Sequence, residues 1–308
     1  MRVTAIQSIR QTVATEGLTS VSPSTTATHL AVSWLGYAAL AAVGFWADHL
    51  AVWIPCWFVM GWLLLGNGAF VHEALHDHGF RSTLANRLLG MAAGVTLLLP
   101  FATYRAYHLD HHVNTATPDD PEGEPITFTS RLQYFVLVPL GGPLFVLTLA
   151  WFSLRTLAGR APRWVRTSSQ RRWIVANVAV LAVAVAGLVL AIGAAPEAVV
   201  KAWLVPYVLT MTVLFPFVLL PEHYRGAGGV PPLENTRTTR SNAAVRWLLW
   251  NANFHGEHHL VAAVPHDKLE RLNEIVAPQH DEQWKSSGYL GFHRDLLAGI
   301  PTLPRRKS

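Results

Sequence analysis

The sequence predicts an all-α integral membrane protein with about four transmembrane helices, one or two interfacial or re-entrant helices, and a histidine-rich cytoplasmic cap. Three observations support this fold class. The 308 residues are 51% hydrophobic and only 14% charged. Apolar runs approach the roughly 20 residues that a helix needs to cross the hydrocarbon core. Histidines cluster in short windows next to those runs.

The apolar runs are spread over most of the chain, which favours one membrane unit over two soluble domains. We therefore expect a polar N-terminal segment over 1–28, a membrane domain over 29–276 and a tail over 277–308. The first 28 residues lack the apolar core of a secretory signal. We expect the N-terminus to be uncleaved and cytoplasmic.

Four runs are predicted to cross the membrane: 29–47, 50–71, 173–192 and 199–220. Two further runs, 88–101 and 134–152, are shorter or interrupted. The second contains Pro139, Gly141 and Gly142. These two runs fit interfacial or re-entrant helices better than full spans.

The charge distribution supports four crossings, because cytoplasmic loops carry an excess of arginine and lysine. One segment is rich in arginine and, with four crossings, lies in the cytoplasm: Arg155, Arg160, Arg163, Arg166, Arg171 and Arg172. Four membrane crossings also place all three histidine windows on the cytoplasmic side. The net charge of +5 is then explained by membrane lipid headgroups, and no nucleic acid partner is expected.

Eight histidines occupy three five-residue windows, which read HEALH, HLDHH and HGEHH. They are His72, His76, His108, His111, His112, His255, His258 and His259. Residues at i, i+3 and i+4 share one face of a helix, so each window presents its imidazoles to one point. Because Cys56 is the only cysteine, imidazole must supply the ligands of any metal site.

Eight imidazoles exceed the roughly four to six ligands of one ion, so two metals are expected. Imidazole suits iron, zinc and copper alike, and the spacing leaves the identity of the metal open. His223, just past the fourth run, is either a ninth ligand at the same membrane face or an interfacial histidine.

The three windows resemble the histidine boxes of the membrane fatty acid desaturase superfamily, which also includes hydroxylases, ketolases and alkane monooxygenases. HHVNTATPDDPE resembles the second box with its following tract at Asp120, Pro121 and Glu122. The region that ends NANFHGEHHLVAAVPHDKL resembles the third-box region of bacterial members. The resemblance covers roughly 30–276.

The resemblance implies that the eight window histidines bind a non-haem diiron centre, with His223 as an additional ligand. It implies an oxidase that uses O2 as co-substrate and introduces a double bond into a lipid acyl chain. It also implies a bacterial inner membrane with the boxes facing the cytoplasm. No flavin, nicotinamide or haem fingerprint is recognisable, so we expect a separate electron donor, either a ferredoxin or a small cytochrome with its reductase.

Four acidic residues near the boxes are candidates for orienting the imidazoles, and Asp120 is favoured among them: Glu73, Asp110, Asp120 and Glu257. Three arginines could dock an acidic headgroup or electron donor, or simply anchor to anionic lipid: Arg237, Arg240 and Arg246. Aromatic residues in the second run are possible walls of an apolar channel: Trp57, Phe58, Trp62 and Phe70.

Other functions remain open from the residues alone. The closest alternative is a diiron hydroxylase or ketolase that acts on an acyl, terpenoid or specialised-metabolite substrate. A membrane dizinc hydrolase would need only a metal-bound water and no reductant. A metal transporter would place its ligands near the bilayer midplane, whereas these histidines lie at the ends of the apolar runs.

Overall fold

The computed structural model describes residues 3–123, 126–224, 232–279, 285–286 and 288–300. Helices dominate the described residues. The first eight are α1 (Val3–Thr15), α2 (Pro23–Ala47), α3 (Leu50–Leu75), α4 (Thr83–Thr96), α5 (Phe101–Asn114), α6 (Arg131–Leu137), α7 (Gly141–Leu157) and α8 (Ser168–Ala194). Parts of the predicted tail, 280–284, 287 and 301–308, lie outside the described residues.

The second half of the chain has shorter elements. They are α9 (Pro196–Val199), α10 (Val205–Leu209), α11 (Phe215–His223), α12 (Pro232–Asn235), α13 (Ala243–Leu248), α14 (His255–Leu260), α15 (Leu269–Val276) and α16 (Tyr289–Gly299). Two strands of two residues, β1 (Thr238–Thr239) and β2 (Lys285–Ser286), pair in parallel. The expected all-α membrane protein is confirmed.

Among the described residues, five helical stretches are long and apolar enough to cross a membrane. They are Pro23–Ala47, Leu50–Leu75, Arg131–Leu157, Ser168–Ala194 and Pro196–His223. The pair formed by α4 and α5 is also apolar, but it bends by 106°. The turn between them holds Leu98 with a φ of 54°. The predicted run over 88–101 is therefore broken by a sharp corner.

The third stretch contains the run over 134–152, which was expected to be shorter or interrupted and to form an interfacial or re-entrant helix. It lies within the 27 helical residues of Arg131–Leu157. Pro139 is accommodated in a short 3₁₀ turn, Val138–Leu140. Gly142 serves close packing, because a Cβ there would collide with the Met211 carbonyl oxygen. The proline and glycines permit the helix here and do not end it.

The chain divides into two compact units. The span unit comprises Ser22–Tyr107 and Gly141–Phe215, and the cap unit comprises Met1–Val21, His108–Leu140 and Pro216–Ser308. The span unit holds most of the long helices and the first histidine window. The cap unit holds the second and third windows and His223.

Prolines inside the fifth stretch leave backbone carbonyls without their usual helical donors. In the span unit, Pro206 cannot donate to Ala202, and the Tyr37 hydroxyl donates to the Ala202 carbonyl oxygen instead (2.7 Å). In the cap unit, Pro221 cannot donate to Phe217, and His293 Nε2 donates to the Phe217 oxygen (2.7 Å). Side chains thus replace lost backbone bonds, as membrane helices require.

The core of the cap unit forms around α15 and α1. Ile9, Val13 and Leu18 pack with residues of the third-box region in one buried cluster: Leu233, Phe254, Leu260, Val264, Leu269, Leu272 and Val276. Arg271 on α15 donates from Nη2 and Nε to the two Glu16 carboxylate oxygens, each at 2.8 Å. The predicted polar N-terminal segment therefore includes an amphipathic helix packed on the cap unit.

Candidate metal centre

The second histidine window lies on the last two turns of α5. His108, His111 and His112 share the i, i+3 and i+4 spacing, and their rings cluster with centroids 4.6–5.8 Å apart. His108 and His111 are buried. The helix ends at Asn114, and the following turn brings Asp120 back beside the window.

Asp120 holds the His111 ring. Its two carboxylate oxygens lie 2.9 and 3.0 Å from His111 Nδ1. The carboxylate also accepts hydrogen bonds from the backbone N–H groups of Ala116 (2.7 Å) and Glu122 (2.9 Å). Because Nδ1 faces a carboxylate, it carries the proton, and Nε2 is left with a free lone pair. That is the tautomer a metal ligand needs.

The third window occupies α14, which is only six residues long and buried along its whole length. His258 Nε2 lies 3.1 Å from His112 Nε2, and His112 Nε2 lies 2.9 Å from His108 Nε2. The second and third windows therefore meet within the cap unit. Ligand nitrogens of His108, His112 and His258 all lie within 4.8 Å of one another.

A second group forms around His223. Ligand nitrogens of His111, His223 and His259 also lie within 4.8 Å of one another, and His255 Nε2 is 2.8 Å from His223 Nε2. Spacing alone left His223 undecided between ligand and interfacial histidine. The structure brings it among the box histidines.

The donors in this cluster fit metal ions. The Nε2 atoms of His111 and His259 are buried and have no hydrogen-bond partner among the described residues. Buried polar atoms are normally paired, and lone pairs directed at one point are satisfied by a cation. Burial, followed by repulsion from neighbouring imidazoles, lowers the pKa of His259 well below its usual value. The ring is therefore held neutral, as metal binding requires.

The first window ends α3 in the span unit. His72 lies in the last turn, and His76 is the residue that follows the helix. Their ring centroids are 5.1 Å apart. Glu73 is buried, with its two oxygens 3.6 Å from His72 Nδ1 and 3.6 Å from His78 Nδ1. This carboxylate lies beside the window, between His72 and His78, and His78 is outside the three windows.

Other predicted residues have different roles. Arg237 faces inward: its Nε donates to the Pro221 carbonyl oxygen (3.1 Å) and its guanidinium stacks over Phe292. Arg246 pairs with Glu270 on α15 (3.1 Å). Both arginines therefore have structural partners within the cap unit. These contacts do not support a role in docking an acidic headgroup or electron donor.

Three residues near the box histidines were not predicted as site residues. Glu122 was noted only as part of a motif, yet its oxygens lie 3.9 Å from His108 Nδ1 and 3.7 Å from His111 Nδ1. Glu222 is 3.7 Å from His255 Nε2. Thr115 Oγ1 is 3.4 Å from His259 Nδ1. For Glu222, which directly precedes His223, that adjacency was the available hint.

Comparison with known proteins decides the family. The fatty acid desaturase family model matches residues 48–287, which include the three windows and His223. The chain belongs to the fatty acid desaturase family. It is an oxidoreductase of the desaturase type and an integral membrane protein.

Several desaturases are similar to this family member. A DES1-like sphingolipid delta(4)-desaturase of Arabidopsis thaliana is 24% identical over 70% of this chain and 61% of its own length. The human sphingolipid delta(4)-desaturase/C4-monooxygenase DES2 is 25% identical over 74% of this chain and 71% of its own. An sn-1 acyl-lipid omega-3 desaturase (ferredoxin) of Nostoc sp. (strain 36) is 24% identical over 78% and 72%. The matched part thus covers about six to seven tenths of the length of each of these relatives.

Proposed function

We propose that this protein is an oxygen-dependent non-haem diiron oxidase that introduces a double bond into a lipid acyl chain. The observation that carries the proposal is the meeting of box-two and box-three nitrogens with His223 in two groups inside the cap unit. His72 and His76 complete the proposed ligand set, because they match the first histidine box of the family. The desaturase domain is proposed to be 29–276.

Two iron ions, when bound, supply the activation of dioxygen that removes hydrogen from an unactivated methylene group. The chain's own residues hold that centre in place. Asp120 fixes the tautomer and orientation of His111, and burial keeps His259 neutral. Burial of box three, with His258 2% exposed and His255 6% exposed, limits the access of water to the site.

A cavity in the span unit supports the proposal that the substrate is apolar. It has a volume of about 350 Å³ and is lined by Ser33, Trp34, Tyr37, Leu63, Leu64, Asn67, Ala92, Thr96 and Trp203. Asn67 precedes His72 by five residues on α3, a rise of roughly 7.5 Å. The sequence suggested other aromatic residues as channel walls, and none of those four lines this cavity.

The cluster also constrains how the chain crosses the membrane. His112 and His258 are in contact, so they lie on one side of the bilayer. His223 and His255 are in contact as well. Tyr134, near the start of α6, hydrogen-bonds through its hydroxyl to His293 Nδ1 in the same unit (2.7 Å). The chain from 134 to 223 therefore starts and ends on the same side.

Three long apolar helices lie in that interval, and three crossings would end on the opposite side. One of them therefore does not span. We propose that Arg131–Leu157 is the helix that does not cross, because its exclusion leaves the arginine-rich loop after it on the same side of the bilayer as Tyr134. Positive loops are cytoplasmic, so the boxes are proposed to face the cytoplasm, in a bacterial inner membrane.

Hydroxylation is the second candidate reaction. The human relative is named both a delta(4)-desaturase and a C4-monooxygenase, which favours hydroxylation as the alternative outcome. The same ligand set is compatible with loss of a second hydrogen or with gain of oxygen. The mass of the product distinguishes the two, by loss of two hydrogens or addition of one oxygen.

A separate electron donor is part of the proposal, either a ferredoxin or a small cytochrome with its reductase. The Nostoc relative carries ferredoxin in its name, which makes a ferredoxin the first donor to test. O2 is the proposed co-substrate and membrane lipids the proposed surroundings.

The test is lipid analysis of a host that expresses the protein, with purified protein assayed for iron. We expect new unsaturated acyl chains and about two iron ions per chain. His111→Ala is the control, because it removes a ligand whose partner Asp120 stays in place. Unchanged product in that variant, or zinc with oxygen-independent turnover in the native protein, would contradict the proposal.

A further inference from the structure

Glu257 lies in the middle of the third box, between His255 and His258. On a helix it projects away from the face that carries the histidines. Its side chain is fully buried, with 0% exposure. A fully buried carboxylate is costly unless it is hydrogen-bonded, so its contacts identify what it does.

Both carboxylate oxygens of Glu257 accept short hydrogen bonds. Oε2 accepts from the Thr238 hydroxyl on β1 at 2.5 Å, and Oε1 accepts from the Asn273 side-chain N–H on α15 at 2.6 Å. The two donors come from segments on either side of the box in sequence. The carboxylate thereby connects α14 to both of them.

The helix it connects needs outside support. α14 has six residues and no side chain that caps its N-terminus, and helices this short are marginal without tertiary contacts. Asn253, just before α14, exchanges hydrogen bonds with Thr239, from its side chain to the Thr239 oxygen and from the Thr239 N–H to the Asn253 oxygen. Glu257 adds a second set of hydrogen bonds on α14 itself, one helical turn after Asn253.

We propose that Glu257 is a positioning residue that sets the rotation of the third box, so that His255, His258 and His259 face the metal site. The proposal rests on the diiron function above. Glu257 acts through the orientation of α14, because its carboxylate is bonded to Thr238 and Asn273. Supporting groups of this kind typically change metal affinity 10–100-fold when they are removed.

The experiment is a double-variant cycle with Glu257→Gln and Asn273→Asp. Asn273→Asp directs a second carboxylate at Glu257, so this variant should lose iron to a chelator at least about tenfold faster than the native protein. Glu257→Gln should have a smaller effect, because its oxygen can accept from Asn273 while its amide N–H donates to the Thr238 hydroxyl oxygen. In the combined variant, the introduced amide donates to the introduced carboxylate and its oxygen still accepts from Thr238. Most of the iron retention should return.

Two further measurements separate positioning from general stability. The Mössbauer spectrum of the iron-loaded protein should change in Asn273→Asp and return towards the native spectrum in the combined variant. Amide hydrogen exchange over 255–260, measured without metal, should accelerate in Asn273→Asp and slow again in the combined variant. Glu270→Gln is the matched control on α15, since Glu270 is half exposed, and it should leave all three readouts unchanged.

The outcomes decide the proposal. Native iron retention in Asn273→Asp overturns it, and so does a combined variant that retains iron no better than Asn273→Asp alone. If the native protein binds no iron, the diiron function fails by itself. The exchange of 255–260 in the metal-free variants then still decides whether Glu257 fixes α14.

Discussion

Boxes two and three have the same HxxHH spacing but are held in different ways. Box two lies on a 14-residue helix, and its central histidine is fixed by Asp120, only nine residues further along. Box three lies on six residues whose support comes from β1, α15 and α1. The difference teaches that one motif can be organised by local sequence or by the tertiary fold. Substitutions should affect the two boxes by different routes.

The largest effect should be common to both boxes. His112→Ala and His258→Ala each remove one side of the same 3.1 Å contact, so both variants should lose activity and bound iron to a similar extent. Iron analysis and product formation under identical loading measure this. If one variant keeps native iron content, that box does not belong to the shared centre.

Asp120→Asn should affect box two alone. The variant places an amide N–H among the His111 ring N–H and the backbone donors of Ala116 and Glu122. We expect iron affinity to fall about 10–100-fold. Amide exchange over 255–260 should stay native, and altered exchange there would show that box three also depends on this carboxylate.

Leu272→Ala should act on box three through the core. Leu272 on α15 is fully buried in the cluster that contains Phe254 and Leu260, and such truncations cost about 2–5 kcal/mol. The thermal midpoint of the metal-free protein should fall, with faster exchange over 255–260. Leu290→Ala is the control, since Leu290 is 79% exposed, and an equal loss in both variants would contradict the route through the core.

The smallest effect should come from the ion pair between α1 and α15. The hydrogen bond from Arg271 lowers the pKa of Glu16 below its usual value. The pair therefore stabilises the fold above the unfolded-state pKa of Glu16, and this contribution disappears as the pH falls through the lower folded-state pKa. Glu16→Gln should lower the melting temperature slightly at neutral pH, and the difference should vanish in acid. A difference that grows in acid would contradict this sign.

Much of this architecture was predictable because its determinants are local. The spans follow from apolar runs, and box two follows from spacing plus Asp120 nearby. The support of box three was not predictable, since the partners of Glu257 lie 19 and 16 residues away on other elements. The continuity of the helix over 131–157 was not predictable, because Pro139 and Gly142 break helices in isolation, whereas here packing against Met211 needs the glycine. Arg237 resembled a surface cation because its acceptors, the carbonyl oxygens near Pro221, carry no sequence signal.

The bond from His293 to the Phe217 carbonyl oxygen has a practical consequence for handling the protein. Phe217 lies six residues before His223, so a ring near the C-terminus helps to shape the helix end that presents this histidine. Proteolytic trimming that removes α16 should therefore impair the enzyme while most of its secondary structure survives. Preparations that look intact by circular dichroism but are inactive should first be checked for their last twenty residues.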